Sequence, residues 1–481
     1  MSHKRTQPSR FQTVLIGLLV GVAVLGCVAE VESYPFPDLS SGDPATIFVG
    51  VNVLPMDREE ILRDQTVVVR NEDIVWVGAS ADTGEIPQTA RRIDVDVPGG
   101  AYLLPGLSEM HAHVPGATAG AAEIQRIFDL YLANGVTTIR SMQGAPNQLE
   151  LRQALREGRM RGPNLYVAAP SINGNVTPTP EDAVAQVRAH AGAGYDLLKL
   201  HPGLTREVYD AMAQAARQSG ITWAGHVSPQ VGLDHTLASR QSTVDHLDGY
   251  VEAAASEEVR QRMLAGEAVP LHEMVASATG ERIAELARRT EEQGVWNVPT
   301  LYLWENFYND TAAETLAALP EMSHATPQQL SQWTTQKETR SFVELLEGWR
   351  TGGLLGAAEV DQDAADALIG LRREVVKALY DEGAPMLLGT DSPQMFMVPG
   401  YALHREVALL QEVGISPFLI LESGTRNVGR YVREELGLDE TFGLVARGHR
   451  ADLILLRGNP LENLDELQRP MGVMVRGEWE G

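Results

Sequence analysis

The sequence of 481 residues predicts an α/β fold, a (β/α)8 TIM barrel joined to a small composite β-sandwich. Three observations predict this class. Eight short apolar strands alternate with helical stretches through most of the chain, which is typical of a closed parallel barrel. Strand-like runs without helices between them lie before this region and again after it, so we expect the two sets to pair. The length suits one barrel-sized domain and one smaller domain.

The chain begins with a basic segment and an uncharged apolar run, 11–25. The run is shorter than the roughly 20 apolar residues that a membrane-spanning helix needs, and it matches the core of a secretory signal. It leads into Val24-Leu-Gly-Cys27, which resembles a bacterial lipobox. We therefore expect a lipoprotein-type signal peptide at 1–27. An unlipidated signal and a retained membrane helix are the alternatives.

Cys27 is the only cysteine in the protein, which excludes an internal disulfide framework. Its position predicts an exported protein of the bacterial periplasm or cell surface, anchored to a membrane through a lipid on this residue and in no other way. Residues 28–44 are polar and contain prolines without periodicity, which predicts a tether.

Short strand-like runs follow the tether and return at the end of the chain. Within 45–103, Asn71-Glu-Asp73 joins two such runs as a hairpin turn. Further runs lie within 436–481. We expect these two segments to form one composite β-sandwich.

Residues 104–435 are predicted to form most of the barrel, whose first strand we expect to begin slightly earlier. The eight expected strands are 102–113, 137–142, 164–169, 197–201, 223–227, 243–247, 296–302 and 386–392. Two connections, near 248–295 and 303–385, are long and have helical patterns of their own. Insertions in this fold lie over the carboxyl ends of the strands, so we expect them to act as a lid.

The charge balance excludes one class of partner. Acidic residues outnumber basic ones by 64 to 39, for a formal net charge of -25. So negative a chain repels phosphate backbones, and we expect no nucleic-acid partner. The charge is spread along the sequence and says little about the substrate. It leaves the oligomeric state open, a homo-oligomer included.

Polar side chains end five of the eight expected strands. His111 and His113 lie two residues apart, so a strand would point both imidazoles to one face. Alone, this pair is as compatible with packing as with metal binding. The other strand ends carry Lys199, His226, His246 and Asp391. Catalytic groups of this fold lie at that face, and unpaired polar groups are costly to bury, so the coincidence favours a metal. These ligand types suit zinc, with iron, manganese and cobalt as alternatives.

Lys199 lies inside an apolar strand and needs an explanation of its own. A protonated ammonium beside divalent cations would be repelled, and burial would lower its pKa. A neutral amine can add carbon dioxide, and the resulting carbamate can bridge two metals. A salt-bridged lysine is the alternative.

These strand ends, taken together, resemble the metal-dependent amidohydrolase superfamily, in particular the group around imidazolonepropionase-related amidohydrolases and prolidase-like dipeptidases. The segments that carry the resemblance are Leu104-Pro-Gly-Leu-Ser-Glu-Met-His-Ala-His113, Gly135-Val-Thr-Thr-Ile-Arg-Ser-Met142, Gly389-Thr-Asp391 and Gly448-His-Arg-Ala-Asp-Leu453. Two positions depart from the family pattern, since Glu109 and Ser141 stand where Asp is more usual.

The resemblance implies two divalent metal ions, and the ligands suggest zinc. By position, His111, His113 and Asp391 would bind the first ion, and His226 and His246 the second, with the carbamate on Lys199 between them. The family mechanism then implies that a bridging hydroxide attacks a carbonyl, while Asp391 accepts a proton and passes it to the leaving amine.

Four further residues are candidate substrate contacts, each with a structural alternative. Arg140 ends the second strand and would either clamp a substrate carboxylate or form a buried ion pair. His201 follows Lys199 on the same face and would contact substrate or make a structural hydrogen bond. Tyr302 would bind a carbonyl or pack. His404 would lie at the mouth, or serve a helix end or the surface.

The expected activity is hydrolysis of a C–N bond in a small-molecule or dipeptide-like substrate (an amide, peptide-like or cyclic amide compound), by a dipeptidase or an N-acyl amino acid hydrolase. A lactonase, esterase or phosphotriester hydrolase on the same site is the enzymatic alternative. A periplasmic binding lipoprotein without chemistry is the non-enzymatic one. It predicts two similar lobes and a hinge, and gives no reason for five polar strand ends.

Overall fold

The computed structural model describes residues 34–40, 42–351 and 355–481. The predicted signal peptide, its Cys27 and the first part of the tether lie outside the described residues. The strands, in chain order, are β1 (Ala45–Val53), β2 (Leu62–Arg70), β3 (Asp73–Ala79), β4 (Arg91–Ile93), β5 (Tyr102–Pro105), β6 (Leu107–Ala112), β7 (Val136–Ser141), β8 (Asn164–Val167), β9 (Leu197–Leu200), β10 (Thr222–Gly225), β11 (Thr243–Asp245), β12 (Trp296–Val298), β13 (Leu453–Leu456), β14 (Gly472–Val475) and β15 (Glu478–Glu480).

Helices follow most of the strands after β5. They are α1 (Ala121–Ala133), α2 (Asn147–Arg156), α3 (Pro180–Ala193), α4 (Arg206–Ser219), α5 (Leu233–Ala238), α6 (Tyr250–Ala254), α7 (Glu257–Leu264), α8 (Leu271–Ala276), α9 (Gly280–Gln293), α10 (Leu301–Tyr308), α11 (Ala313–Ala317), α12 (Pro327–Glu338), α13 (Ser341–Thr351), α14 (Gln362–Asp381), α15 (Tyr401–Glu412), α16 (Pro417–Ser423) and α17 (Arg426–Glu434). No helix among these residues is both long and apolar enough to cross a membrane.

Both ends of the described chain contribute to one sheet, in the order β15-β14-β13-β5-β1-β2-β3, with β4 also paired to β1. Phe48 on β1 and Trp479 on β15 are separated by three intervening strands, which in a flat sheet would place them roughly 19 Å apart. Their rings are nevertheless 5.1 Å apart, edge to face. The sheet therefore folds over on itself and encloses a core, which confirms the predicted composite sandwich.

The barrel is formed by β6 to β12 and closed by the segment 386–392. Two parallel sheets, β6-β7-β8 and β12-β11-β10-β9, supply most of the wall. The amide of Leu387 donates to the Asn297 carbonyl of β12, and the amide of Met110 in β6 donates to the Leu388 carbonyl, each at 2.9 Å. These bonds connect the last strand position to both neighbours, so the predicted (β/α)8 barrel is confirmed.

The first expected strand, 102–113, is two strands in the structure. Its first half, β5, pairs with β13 and β1 in the sandwich, and its second half, β6, is the first strand of the barrel. Gly106 separates them, and a Cβ there would lie only 2.2 Å from Thr137 Oγ1. Only glycine allows the backbone to change direction so close to β7.

The expected strand 296–302 is shorter in the structure. β12 ends at Val298, and Leu301 begins the buried helix α10. The sequence of α10, Leu-Tyr-Leu-Trp-Glu-Asn-Phe-Tyr, is apolar or aromatic at nearly every position. Such a composition does not distinguish a strand from a buried helix. The prediction that this strand extends to Tyr302 was therefore wrong.

Candidate metal centre

The six predicted ligands lie at the carboxyl ends of the barrel strands. His111 lies near the end of β6 and His113 directly after it, and Lys199 lies in β9. His226 follows β10, His246 follows β11, and Asp391 lies near the end of the segment 386–392. Because the strands are parallel, these ends share one face of the barrel. Sequence positions up to 280 residues apart thereby meet.

Asp391 lies at the centre of the cluster. Its Oδ1 is 2.8 Å from His113 Nε2 and 3.6 Å from His111 Nε2, and its Oδ2 is 3.9 Å from His246 Nε2. The ring of His226 lies 4.6 Å from that of His246. Lys199 Nζ lies 3.1 Å from His111 Nε2. The structure thus brings all six residues together, while their roles as metal ligands stay a prediction.

A polar group lies close to the Nδ1 atom of each histidine of the cluster. Asp245 Oδ2 lies 2.9 Å from the Nδ1 of His111, and Asp248 Oδ2 lies 2.7 Å from that of His226. The hydroxyl of Thr300 is 2.9 Å from His246 Nδ1, and the Gln394 amide is 3.4 Å from His113 Nδ1. Outer partners of this kind fix the ring orientation and leave Nε2 for a metal.

The electrostatics favour neutral imidazoles. Burial lowers the pKa of His111 and His246 well below the ordinary value, and the positive charge of Lys199 acts in the same direction. Burial acts to raise the pKa of Asp391, but His113 and His111 hold it below its usual range. Neutral imidazole and ionised carboxylate are the forms that bind metals.

Lys199 is completely buried at the base of the cluster. Burial lowers its pKa, although the negative charges of Asp245 and Asp391 oppose that shift. Its only hydrogen-bond partner among the described residues is His111 Nε2. A lysine with so little support for an ammonium group is chemically suited to react as the amine.

The residues fit a bound cation. His246 Nε2 is buried and has no hydrogen-bond partner in the described part of the chain. Its ligand atom and those of His111 and Asp391 lie within 4.8 Å of one another. Two atoms that each bind an ion at about 2.0–2.2 Å lie roughly 3–4 Å apart. The separations of 3.6 and 3.9 Å to Asp391 are too long for hydrogen bonds and agree with a shared ion.

The backbone adopts an uncommon conformation where these side chains are presented. Four non-glycine residues at the strand ends have positive φ: 64° at His246, 53° at Leu247, 50° at Thr300 and 72° at Asp391. Such angles are unfavourable for side chains larger than glycine and persist where the surroundings enforce them. They turn His246, Thr300 and Asp391 toward the cluster.

Glu109 connects the two strands that carry His111 and Asp391. Its carboxylate accepts hydrogen bonds from the amides of His111 (3.0 Å) and Thr390 (2.8 Å) and from the Thr390 hydroxyl (2.6 Å). Burial raises the pKa of Glu109 to about 8. Glu109, which stands where the family usually has Asp, therefore links β6 to the segment 386–392 that closes the barrel.

Arg140 takes the second of its two predicted roles, the buried ion pair. The side chain has no exposed surface, and its Nη2 is 3.4 Å from Asp245 Oδ1. Its Nε donates to the Met110 carbonyl at 2.7 Å and its Nη1 to the Tyr431 hydroxyl at 2.8 Å. These contacts engage its guanidinium donors inside the barrel.

His201 lies beside the cluster. Its ring stacks on that of His226 at 4.9 Å, and its Nδ1 is 2.7 Å from the Ser171 hydroxyl. Burial lowers the pKa of His201 to about 2, so the ring is neutral. It is only partly buried and stays a candidate substrate contact.

Tyr302 and His404 are placed differently from the prediction. Tyr302 lies in the first turn of α10, where its amide donates to Glu406, and burial raises its pKa to about 12. His404 lies buried in α15, and its pKa is lowered to about 4 by burial. In the described part of the chain, neither side chain has a hydrogen bond or ring contact with the cluster. The substrate contacts predicted for the two residues stay predictions.

The sequence analysis missed the polar groups near Nδ1, which are Asp245, Asp248, Thr300 and Gln394. Two of them were marked by the segment Thr243-Val-Asp-His-Leu-Asp248, where acids flank a histidine at a strand end. A buried acid in so apolar a strand was the available signal. Thr300 had none, because its position depends on the turn before α10.

Two cavities flank the cluster. Cavity A, of about 750 Å³, adjoins His226 and is lined by residues that include Val227, Asp248, Trp304, Trp349 and Arg372. Cavity B, of about 540 Å³, includes His113 itself with Gln143, Gly144, Pro393 and Gln394. Cavity A has charged and aromatic walls, whereas neutral side chains and His113 line cavity B.

Comparison with known proteins gives concordant results. The model of the amidohydrolase family matches residues 102–479. Ochratoxinase from Aspergillus niger is 24% identical over 471 residues, covering 92% of this chain and 87% of the relative. The structure is similar to that of a Bottromycin amidohydrolase (TM-score 0.64, 23% identity, 92% and 88% of the two chains). It is also similar to that of a putative prolidase from Bifidobacterium longum (TM-score 0.63, 22% identity, 91% and 94%).

Proposed function

Because the chain belongs to the amidohydrolase family and is a hydrolase acting on C–N bonds, we propose that it cleaves the amide bond of a dipeptide or an N-acyl amino acid. The observation that carries the proposal is the arrangement of the histidines. Polar groups lie within 3.4 Å of their Nδ1 atoms, and the Nε2 atoms of His111, His113 and His246 converge on Asp391. Such an arrangement provides several neutral nitrogen ligands and one carboxylate within one buried site.

Two zinc ions are proposed for this metal-dependent site. The first would be held by His111, His113 and Asp391, and the second by His226 and His246. Bound zinc supplies a Lewis acid that polarises a carbonyl and lowers the pKa of water, which makes a nucleophile available at neutral pH.

Lys199 is proposed to be carbamylated between the two ions. Its neutral Nζ adds carbon dioxide, so that a new N–C bond forms, one proton is released and the product carries a negative charge. The burial of Lys199 and its single partner at 3.1 Å support the proposal, because an ammonium there would lack acceptors. The carbamate oxygens would add ligands that the lysine itself cannot offer.

Asp391 is proposed to move the proton. Its Oδ1, which lies between His111 and His113, accepts a proton from the attacking water and passes it to the leaving nitrogen. His201, stacked on His226, is placed to contact the substrate at the border of the site. The buried walls around the cluster limit the access of bulk water.

An esterase or lactonase activity on the same site is the second candidate, since the same groups would attack an ester carbonyl. The names of the matched proteins, ochratoxinase and prolidase among them, support the amide and do not select a substrate. The alternative of a binding protein with two lobes and a hinge is wrong, because the described residues form a barrel and a sandwich.

The experiment that tests the proposal is a hydrolysis panel on the zinc-loaded full chain. It compares dipeptides, N-acyl amino acids, and an ester and a lactone of matched size. We expect amide cleavage that a chelator abolishes and zinc restores. Cleavage of the ester and lactone alone would select the second candidate, and activity that resists complete metal removal would contradict both.

Export and lipid anchoring at Cys27 are a further part of the proposal. They rest on the basic start, the apolar run and the single cysteine. Expression in a bacterial host with labelled fatty acid is expected to label the protein, and Cys27→Ser is expected to abolish the label. A labelled Cys27→Ser protein would contradict the anchor.

A further inference from the structure

Cavity A contains a buried arginine that forms no ion pair with a carboxylate in the described part of the chain. Arg372, on α14, is 5% exposed and lines this cavity. No acidic oxygen among the described residues lies within ion-pair distance of its guanidinium, whereas Arg350, in the same wall, is paired with Glu347 at 2.6 Å. A buried unpaired cation is costly, so an unpaired one beside a reaction site indicates a missing anion.

The guanidinium of Arg372 is held in place but only partly used. Its Nη1 donates to the backbone carbonyl of His246, one of the predicted metal ligands. Its central carbon lies 3.4 Å above the ring of Trp304. Its Nε is buried without a hydrogen-bond partner. The group is therefore fixed close to the cluster with donors left over.

A second unused donor lies beside the first. The indole Nε1 of Trp304 is also buried and has no partner in the described part of the chain. Trp304 lines the same cavity and stacks under Arg372. Two neighbouring donors without acceptors favour an acceptor-rich ligand over a cation or a hydrocarbon.

Two acidic residues act on Arg372 without pairing with it, since burial lowers its pKa while the negative charges of Asp248 and Glu252 raise it. Asp248 and Glu252 also line cavity A, but Asp248 is engaged with His226 Nδ1 at 2.7 Å. Burial lowers the pKa of Arg372 to about 10, so the group is still a cation at neutral pH. Trp349, 6.0 Å from His226 ring to ring, adds an aromatic wall nearby.

We propose that Arg372, with the indole N–H of Trp304, is the specificity-determining group that binds a carboxylate of the substrate in cavity A. The inference rests on the proposed function, which it deepens. The substrate's amino-acid half would lie in cavity A, with its side chain against the aromatic wall. Its acyl half would lie on the side of cavity B. Both halves then meet at the cluster, where the amide is cleaved.

The test compares two substrates that differ only in charge, N-acetyl-L-phenylalanine and N-acetyl-L-phenylalaninamide, by acetate release from the zinc-loaded full chain. We expect wild-type protein to prefer the carboxylate by about 10- to 100-fold in kcat/KM, the usual range for hydrogen bonds to a charged group. Arg372→Met is expected to remove this preference by lowering kcat/KM for the carboxylate about 10- to 100-fold more than that for the carboxamide. Arg350→Met, whose arginine is already paired, is the matched control and should retain the preference.

Several outcomes would overturn the inference. Equal cleavage of both substrates by wild-type protein would do so even if Arg372→Met failed to fold. Equal losses for both substrates in a folded Arg372→Met variant with wild-type zinc content would indicate a structural role only. If neither substrate is cleaved, calorimetric binding of N-acetyl-L-phenylalanine separates the two proposals. Binding that Arg372→Met abolishes would retain the carboxylate site and reject the activity on this substrate class, and binding unaffected by the variant would reject the carboxylate site.

Discussion

Two buried polar networks inside the barrel differ in how completely their hydrogen-bonding groups are used. Beneath the cluster, Arg140 donates to Met110, Tyr431 and Asp245. In the upper network, at the carboxyl ends of the strands, His246 Nε2 has no hydrogen-bond partner among the described residues and Lys199 has one. Buried polar groups in folded proteins are nearly always paired, so the protein itself satisfies the Arg140 donors of the lower network beneath the cluster, whereas the unpaired His246 Nε2 of the upper network is a position for a ligand.

Asp245 belongs to both networks and shows how they cooperate. One carboxylate oxygen contacts Arg140, and the other lies 2.9 Å from His111 Nδ1. The lower network thereby orients a ring of the upper one. We therefore expect substitutions in the upper network to reduce catalysis with little effect on folding. Substitutions in the lower network are expected to reduce the stability of the protein more than its catalysis.

Asp391→Asn is expected to give the largest effect. It keeps the shape of the side chain but removes the charge and the proton acceptor, so kcat should fall by about 10⁴-fold, the upper range for general acid–base groups. Steady-state kinetics on the zinc-loaded protein measure this, and urea unfolding should show no loss of stability. Asp196→Asn, a buried acid paired with Arg152 at the other end of β9, is the matched control. It should lose stability and keep its kcat, and the reverse pattern would refute the distinction between the networks.

Lys199→Ala is expected to follow, with a loss of more than about 100-fold, since even partners of metal ligands account for 10- to 100-fold. Short carboxylic acids such as acetate and propionate should restore part of the activity by replacing the carbamate. Lys337→Ala removes another partly buried lysine, which donates to Asn306 and Asn309. The Lys337→Ala variant should keep the wild-type activity, and the carboxylic acids should not change it. Full activity with two bound metals in Lys199→Ala would rule out the carbamate.

Arg140→Met is expected to have the smallest effect on the chemistry and a large one on folding. It leaves the Asp245 carboxylate buried without its cation, which destabilises a protein by about 3–5 kcal/mol. Urea unfolding measures the loss, and adding Asp245→Asn should recover part of it. A stable Arg140→Met protein that had lost its preference for carboxylate substrates would instead assign Arg140 to substrate binding.

Much of the fold follows from features that the sequence displays locally. The alternation of strands and helices, and polar residues at strand ends, predicted the barrel and the gathering of His111 and Asp391. The two ends of α4 also follow from local sequence features. Thr205 accepts a hydrogen bond from the Val208 amide at the start of α4, and Gly220, with φ of 65°, ends it.

The rest depended on contacts between distant segments. Arg372 is 126 positions from the His246 carbonyl that it binds, and no local pattern links the two. Tyr302 was misplaced because an apolar run fits a buried helix as well as a strand. The split at Gly106 arises from the approach of Thr137, which only the folded chain brings near.

The central claim is that the upper network is a metal site, and metal stoichiometry tests it most directly. The full chain is equilibrated with zinc, passed through a desalting column and measured by elemental analysis, alongside His246→Ala. We predict two zinc ions per wild-type chain and fewer in the variant. A wild-type chain that retains no zinc, or a variant that retains as much as wild type, would contradict the account.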